Sequence, residues 1–86
     1  MAIEYFANDR YKVLSAMHDR QISVNDENVV KLSQQEISEI VGISKVKVNG
    51  IIAELKNDGY LVSKKKGHYQ LTSKATNEIS SYRKEQ

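Results

Sequence analysis

The sequence predicts a single, mainly α-helical domain with a small β-hairpin, and three observations lead to this prediction. Apolar residues recur three and four positions apart in four segments, which is the spacing of an amphipathic helix. Two short segments rich in β-branched and aromatic residues flank a turn that contains lysine and glycine. The chain has 86 residues, which is enough for one hydrophobic core and one domain. We therefore expect residues 1–86 to form one unit.

The first third of the chain is predicted to contain a helix, a loop and a brief strand. The helix runs from about Asn8 to Asp19, with a lead-in before it. Residues 21–28 include the polar cluster Asn25–Asn28, which is typical of a loop. The β-branched segment 29–32 then predicts a short strand.

The second and third helices are predicted from their end signals. Ser33 and Glu36 have the spacing of a capping box, so the second helix begins after Ser33. Gly42 has the backbone freedom to end that helix abruptly, and Ser44 is a good N-cap for a third helix over 45–57. The apolar positions of these two helices that share a packing face are Ile37, Ile40, Val41, Val48, Ile51, Ile52 and Leu55. We expect them to pack the two helices against each other and the core.

A hairpin and a last helix complete the predicted order. Gly59 suits a left-handed C-cap, and residues 60–63 follow as a strand. Residues 64–67 form the predicted tip, with all three lysines in it, and residues 68–71 form the second strand. A threonine or serine at 72 or 73 then caps a helix that runs to about Lys84.

This order of elements carries a specific resemblance. The segment LSQQEISEIVGISKVKVNGIIAELKNDGYLVSKKKGHYQLTSKA, residues 32–75, resembles the winged helix-turn-helix domains of bacterial transcription regulators and of plasmid or phage replication and partition proteins. The resemblance implies a three-helix core, a wing and a C-terminal helix, with the third helix in the major groove of duplex DNA. It implies sequence-specific DNA binding, and a transcription regulator is the leading interpretation. The alternatives are a replication or partition role, and a protein-interaction or RNA-binding module.

The resemblance implies DNA contacts at the starts of the second and third helices and in the wing. Ser44 and nearby N–H groups suit a phosphate, and Lys45 or Lys47 suits phosphate or guanine. Val46 suits a thymine methyl group, and the amide of Asn49 matches the N6/N7 edge of adenine unless it only faces solvent. The predicted DNA-binding residues are Ser33, Gln34, Gln35, Ser44, Lys45, Val46, Lys47, Asn49, Lys64, Lys65, Lys66 and His68.

The third helix departs from the usual pattern at two positions. Gly50 and Ala53 stand where many relatives carry arginine or another long polar residue. A glycine within a helix costs up to ~1 kcal/mol relative to alanine. Either the backbone at this point comes very close to DNA or to another helix, or the protein reads few bases directly.

The distribution of charge supports this assignment. The formal net charge is only +2, but residues 1–43 hold four basic and seven acidic residues, whereas residues 44–74 hold seven basic and two acidic ones. Positive charge is therefore concentrated in the third helix and the wing, where it can contact phosphates. In isolation, the lysines at 64–66 would more often form a solvated loop; behind a helix-turn-helix pattern we expect them to contact DNA.

Several other functions are disfavoured by the sequence. There is no cysteine, which excludes disulfides and thiolate metal sites, and His18 and His68 have no partners at metal-ligand spacing. We see no catalytic or phosphate-loop motif, so we expect no enzyme activity and no cofactor, and no small-molecule effector is evident from the sequence. No segment has the apolar length of a membrane span, and the N-terminal residues do not match a secretory signal. We expect a cytoplasmic protein.

The two ends of the chain hold apolar and aromatic residues that a three-helix core does not obviously need. They are Tyr5, Phe6, Tyr11, Ala75, Ile79 and Tyr82. The terminal helices form the dimer interface in many winged-helix regulators, so the helix over 73–86 is a candidate dimerisation element and we favour a homodimer. In the alternative interpretation these residues cover the core of their own monomer.

Overall fold

The computed structural model describes residues 9–84 and contains four helices and a four-stranded sheet. The elements in chain order are α1 (Asp9–Asp19), β1 (Ile22–Val24), β2 (Glu27–Lys31), α2 (Gln34–Val41), α3 (Lys45–Asn57), β3 (Leu61–Lys65), β4 (His68–Leu71) and α4 (Ser73–Lys84). The predicted mainly α-helical fold with a β-hairpin wing is confirmed. The predicted lead-in before Asp9, with Tyr5 and Phe6, lies outside the described residues.

The predicted end signals set the bounds of α2 and α3. Ser33 and Glu36 form the capping box, with the Glu36 N–H 3.1 Å from Ser33 Oγ and the Ser33 N–H 2.9 Å from Glu36 Oε1. Gly42 ends α2 at φ 72°, a left-handed conformation that costs a glycine little. Ser44 caps α3 by accepting a hydrogen bond from the Lys47 N–H at 3.2 Å. The short turn between α2 and α3 is therefore fixed by local chemistry.

The sheet is larger than the predicted hairpin. Its four strands are antiparallel, in the order β1-β2-β4-β3. The prediction of a loop over 21–28 is wrong at Ile22–Val24, which pairs with β2 across a two-residue turn, and at residues 27 and 28, which belong to β2. Both turn residues, Asn25 and Asp26, have positive φ (51° and 66°), as a type I′ hairpin requires. A three-residue strand is too short to show a period, so its pairing with β2 decides its structure.

The wing also differs from the prediction in one respect. Strand β3 continues through Lys65, and only Lys66 and Gly67 form the turn. Lys64 is the extra residue of a bulge, because Ser63 pairs with Tyr69 whereas Lys65 pairs with His68. The prediction that all three lysines lie at the tip is therefore wrong for Lys64 and Lys65.

The core lies between the helices and the inner face of the sheet. Its buried side chains are Val13, Leu14, Met17, Val30, Ile37, Val48, Ile51, Ile52, Leu55, Tyr60, Leu61, Tyr69, Ala75 and Ile79. The predicted stripe of α3 is confirmed as core. Ile40, expected on the packed face of α2, is instead 39% exposed. No helix in the described part of the chain has the length and apolar character needed to cross a bilayer.

Helix α4 packs along α1 of the same chain. Ala75 and Ile79 are fully buried, and the rings of Tyr11 and Tyr82 lie 4.5 Å apart between centroids. Arg83 closes the far end of this contact with an ion pair to Asp19 at 3.0 Å. Of the apolar residues considered for a dimer interface, Tyr11, Ala75, Ile79 and Tyr82 thus pack within their own chain.

Candidate nucleic-acid interface

The turn between α2 and α3 presents the second helix of the pair outwards. The Gly42 N–H donates to the Ser38 carbonyl at 2.9 Å, and the Ser38 hydroxyl donates a short hydrogen bond to the Ile43 carbonyl. Ser38 thus ties the end of α2 to the start of the next segment. Ser38 could not be found from the sequence, because a serine within a helix carries no signal of a contact five residues ahead.

The exposed side of α3 is a neutral stripe, opposite the face that packs in the core. Val46, Asn49, Gly50 and Ala53 follow one another at separations of three, one and three, so they share one side of the helix, and all four are exposed. Val46 is 84% exposed, which is unusual for a large apolar side chain. We call these four residues the α3 stripe.

A cleft lies along one edge of the α3 stripe, between the starts of α2 and α3 and the turn of the wing. It has a volume of about 470 Å³. Its lining residues are Ser33, Gln34, Gln35, Lys45, Lys66, Gly67 and Tyr69. Five of the predicted DNA-binding residues therefore come together, although they belong to three separate segments. We call this side of α3 the wing edge.

One hydrogen bond links the wing edge to the α3 stripe. The Nε2 atom of Gln34 donates to Oδ1 of Asn49 at 3.0 Å, between residues fifteen positions apart in the chain. Both are predicted DNA-binding residues, but no signal in the sequence predicts their contact. It joins the first turn of α2 to the second turn of α3.

The opposite edge of the α3 stripe, which we call the α1 edge, has its charges already paired. Nζ of Lys47 lies 2.8 Å from Oδ2 of Asp9, and Arg10 Nε lies 2.6 Å from Glu54 Oε1. The hydrogen bond from Lys47 holds the pKa of the Asp9 carboxyl below its ordinary value. The predicted DNA-binding residue Lys47 is thus present at the surface with a carboxylate bound to it. Neither Asp9 nor Arg10 was predicted as part of the site.

The other predicted wing residues lie on a different side of the hairpin. Lys64, Lys65 and His68 line a hollow with the β1–β2 hairpin and Lys31. Nζ of Lys64 is 3.9 Å from a carboxylate oxygen of Glu27. Partial burial, with Lys65 and Lys31 nearby, lowers the pKa of His68 below its ordinary value. Of the wing lysines, the structure brings only Lys66 to the wing edge.

Gly50 has open space where a side chain would start. A Cβ built on it meets no heavy atom within 4 Å among the described residues, leaving out its own helix backbone and its chain neighbours. A close approach to another helix therefore does not explain this glycine within residues 9–84. Of the interpretations given above, close approach to DNA or sparse base reading remain.

The structure offers no metal centre within residues 9–84. No group of three His, Cys, Asp or Glu side chains there is arranged to hold an ion. His18 has Asp19 as its neighbour, with Nδ1 and Oδ1 3.4 Å apart. The surface around α3 therefore offers a neutral stripe and hydrogen-bonding amides, with a lysine on either side of the stripe.

Comparison with protein families identifies a helix-turn-helix domain in this chain. The profile of the Crp-like helix-turn-helix domain matches residues 11–75, well over half of the chain. No curated protein sequence matches this chain significantly.

Solved structures of larger proteins contain the same fold. The reduced, Fe(II) CO-sensing protein from R. rubrum superposes with a TM-score of 0.77 at 17% identity, covering 90% of this chain and 37% of its own. A CRP/FNR-family transcriptional regulator from Thermus thermophilus gives 0.72 at 21% identity, with coverages of 95% and 45%. The CO-dependent transcription factor CooA from Carboxydothermus hydrogenoformans, in its imidazole-bound form, gives 0.60 at 18% identity, with 90% and 39%. This chain thus spans less than half the length of each of these proteins.

Proposed function

The chain belongs to the family of Crp-like helix-turn-helix domains, and on this premise we propose that it binds double-stranded DNA as a transcription regulator. In the proposed complex the α3 stripe enters the major groove, and the lysines beside it contact phosphates. The major groove is wide enough for an α-helix and displays a distinct hydrogen-bonding pattern for each base pair. No charged side chain lies on the stripe itself, so base edges there meet Val46 and Asn49.

The wing edge is the observation that carries this proposal. Lys45 and Lys66 come from separate segments yet line one cleft, together with the first turn of α2. The first N–H groups of a helix have no partner within it and favour anions such as phosphate. A DNA backbone beside the stripe would thus meet two lysines, two glutamine amides and a helix N-terminus. Lys64, Lys65 and His68 extend positive or hydrogen-bonding groups along the outer side of the wing.

The assembly we propose on DNA is two copies on a two-fold-symmetric site. One copy of so small a domain offers few contacts, and a second half-site doubles them. Ala75 and Ile79 of α4 are buried within their own chain. We therefore expect the contact between copies to involve other residues. Sedimentation with duplexes that carry one or two half-sites measures the stoichiometry: two copies per two-fold site are expected, and one copy contradicts the assembly.

Duplex binding across a salt series tests DNA binding itself. The variant Lys45→Ala/Lys66→Ala removes two wing-edge charges, and Lys74→Ala/Lys84→Ala removes two charges on α4 as the matched control. We expect the slope of log affinity against log salt to fall by about two for the wing-edge variant, since each lost phosphate contact releases about one counterion fewer. The control slope should stay that of the wild type. Absence of wild-type binding even at low salt, or equal slopes for the two variants, would contradict the proposal.

A further inference from the structure

The hydrogen bond between Gln34 and Asn49 bears on which base the protein selects. Asn49 is the exposed amide of the α3 stripe, and Gln34 is a half-buried residue in the first turn of α2. Nε2 of Gln34 donates to Oδ1 of Asn49 at 3.0 Å. Gln34 also lines the cleft beside Lys45 and Lys66, so this contact lies within the proposed DNA-binding surface.

The two ends of an asparagine amide have opposite hydrogen-bonding character. One end is a carbonyl that accepts hydrogen bonds, and the other is an NH₂ group with two donors. Adenine is read when both ends face its N6 and N7, whereas guanine offers two acceptors, N7 and O6, in the major groove. With its carbonyl held by Gln34, Asn49 turns its NH₂ group away from α2. The outward group is therefore the NH₂ group, whose two donors match the two major-groove acceptors of guanine better than the single acceptor of thymine (O4) or of adenine (N7).

We propose that Gln34 is a positioning residue that fixes the amide of Asn49 so that it selects the acceptor edge of guanine. This inference rests on the proposed DNA-binding function, and it differs from the adenine contact that the sequence alone suggested. Gln34 acts through Asn49, by holding the carbonyl end of its amide. Its nearest counterpart, Gln35, donates instead to Glu39 on its own helix at 3.1 Å and does not share this contact.

The exchange Gln34→Glu should invert the preference. A glutamate carboxylate accepts hydrogen bonds but has no N–H to donate. The NH₂ group of Asn49 would then turn towards residue 34, and its carbonyl would face the groove. An outward carbonyl pairs with a donor, which is N6 of adenine or N4 of cytosine in the major groove. The added negative charge lowers overall DNA affinity, so the relevant readout is the base preference at one position.

The test is selection of duplexes from a random pool by the purified full chain, followed by sequencing of the bound DNA. Wild type and Asn49→Ala identify the base position that Asn49 reads. At that position we expect wild type to select guanine and Gln34→Glu to select adenine or cytosine. In Gln34→Ala, the enrichment of guanine over the other bases should fall at least about fivefold. The double variant Gln34→Ala/Asn49→Ala should match Asn49→Ala alone, because the two residues act as one unit.

The variant Gln35→Glu is the matched control, with the same charge change one residue along. It should bind more weakly than wild type but keep guanine at the Asn49 position. Thermal unfolding of each variant checks that it is folded before selection. If wild type selects guanine there and Gln34→Glu and Gln34→Ala both keep it, the inference is wrong while DNA binding stands. If Asn49→Ala changes no position, Asn49 reads no base and the inference is also wrong. If wild type enriches no sequence, both the proposed function and this inference fail.

Discussion

The wing edge and the α1 edge of helix α3 each carry one lysine from the first turn of the helix, but the two lysines have different surroundings. Lys45 lines an open cleft with Lys66 and the start of α2. Lys47, two residues along and on the other side of the stripe, has the Asp9 carboxylate 2.8 Å from its Nζ. The neighbouring Glu54 is likewise paired with Arg10. The two lysines look equivalent in the sequence, but a phosphate must displace a carboxylate to bind Lys47.

The number of basic residues on α3 therefore overstates the number of positive charges that are available to a phosphate. A phosphate that approaches Lys45 meets a cation and a helix N-terminus, whereas one that approaches Lys47 competes with a carboxylate that is already bound. The Asp9–Lys47 pair is exposed, so on its own it adds little to stability. Asp9 also repels the phosphate directly. We therefore expect DNA to be held more firmly at the wing edge.

The largest expected effect comes from removing one lysine from each edge in turn. Lys45→Ala should weaken duplex binding about tenfold, the usual scale for one hydrogen bond to a charged group. Lys47→Ala should cost clearly less, since its charge is already neutralised by Asp9. Binding isotherms at one low salt concentration measure both, with Lys84→Ala as the charge control. An equal or larger loss for Lys47→Ala would contradict the asymmetry.

Removal of Asp9 should reduce the difference between the edges. In Asp9→Asn the carboxylate is gone and Lys47 is released, so duplex affinity should rise by up to about fivefold at low salt. Lys47→Ala should then cost more in the Asp9→Asn background than in wild type. The control is Asp26→Asn, which removes one carboxylate from the distant β1–β2 turn, where asparagine tolerates the positive φ. A gain as large in Asp26→Asn would mean that net charge alone is responsible.

Gly50 lies on the α3 stripe itself, between the two edges. Its replacement should have opposite effects on folding stability and on DNA affinity. Gly50→Ala should raise the free energy of unfolding by about 0.5–1 kcal/mol, because alanine favours the helix and the space around Gly50 is open. We expect duplex affinity to fall in the same variant, since the added methyl group stands on the stripe that enters the groove. Denaturant unfolding and duplex binding measure the two effects. Unchanged affinity would show that the backbone at Gly50 stays clear of DNA.

The smallest expected effect is the pH dependence of the α1 edge. The pKa of Asp9 lies below its ordinary value of 3.8 in the folded chain, because Lys47 donates to it. The contact therefore adds stability above pH 3.8, and this contribution is lost as the pH falls through the lowered pKa. The denaturant midpoints of wild type and Asp9→Asn should differ at neutral pH and converge in acid. A difference that persists in acid would show that the carboxylate charge does not produce it.

Much of the fold could be predicted because its signals are local. The bounds of α3 follow from Ser44 at one end and Gly59, at φ 83°, beyond the other, and each acts on its own few residues. Strand β1 could not be found in this way, since three exposed or half-exposed residues have no period and depend on pairing with β2. The bulge that moves Lys64 out of the wing turn likewise depends on the partner strand.

The sequence predicts which residues lie in the candidate site, but it does not predict which of their side chains contact each other. The helix-turn-helix pattern indicated Lys47 and Asn49 as surface residues of α3. It could not indicate their partners, because Asp9 and Gln34 lie 38 and 15 positions away and meet them only through helix packing. These two contacts are what distinguish the edges of the stripe. They came from the structure and not from the sequence pattern.

The most direct test of DNA docking at the wing edge is a titration of the ¹⁵N-labelled chain with a selected duplex, followed by amide chemical shifts. We expect the largest changes at residues 33–35, 44–50 and 66–67, smaller ones at the start of α1, and little change along the exposed side of α4. Changes concentrated in α4 or in the β1–β2 hairpin, with the starts of α2 and α3 unaffected, would contradict it.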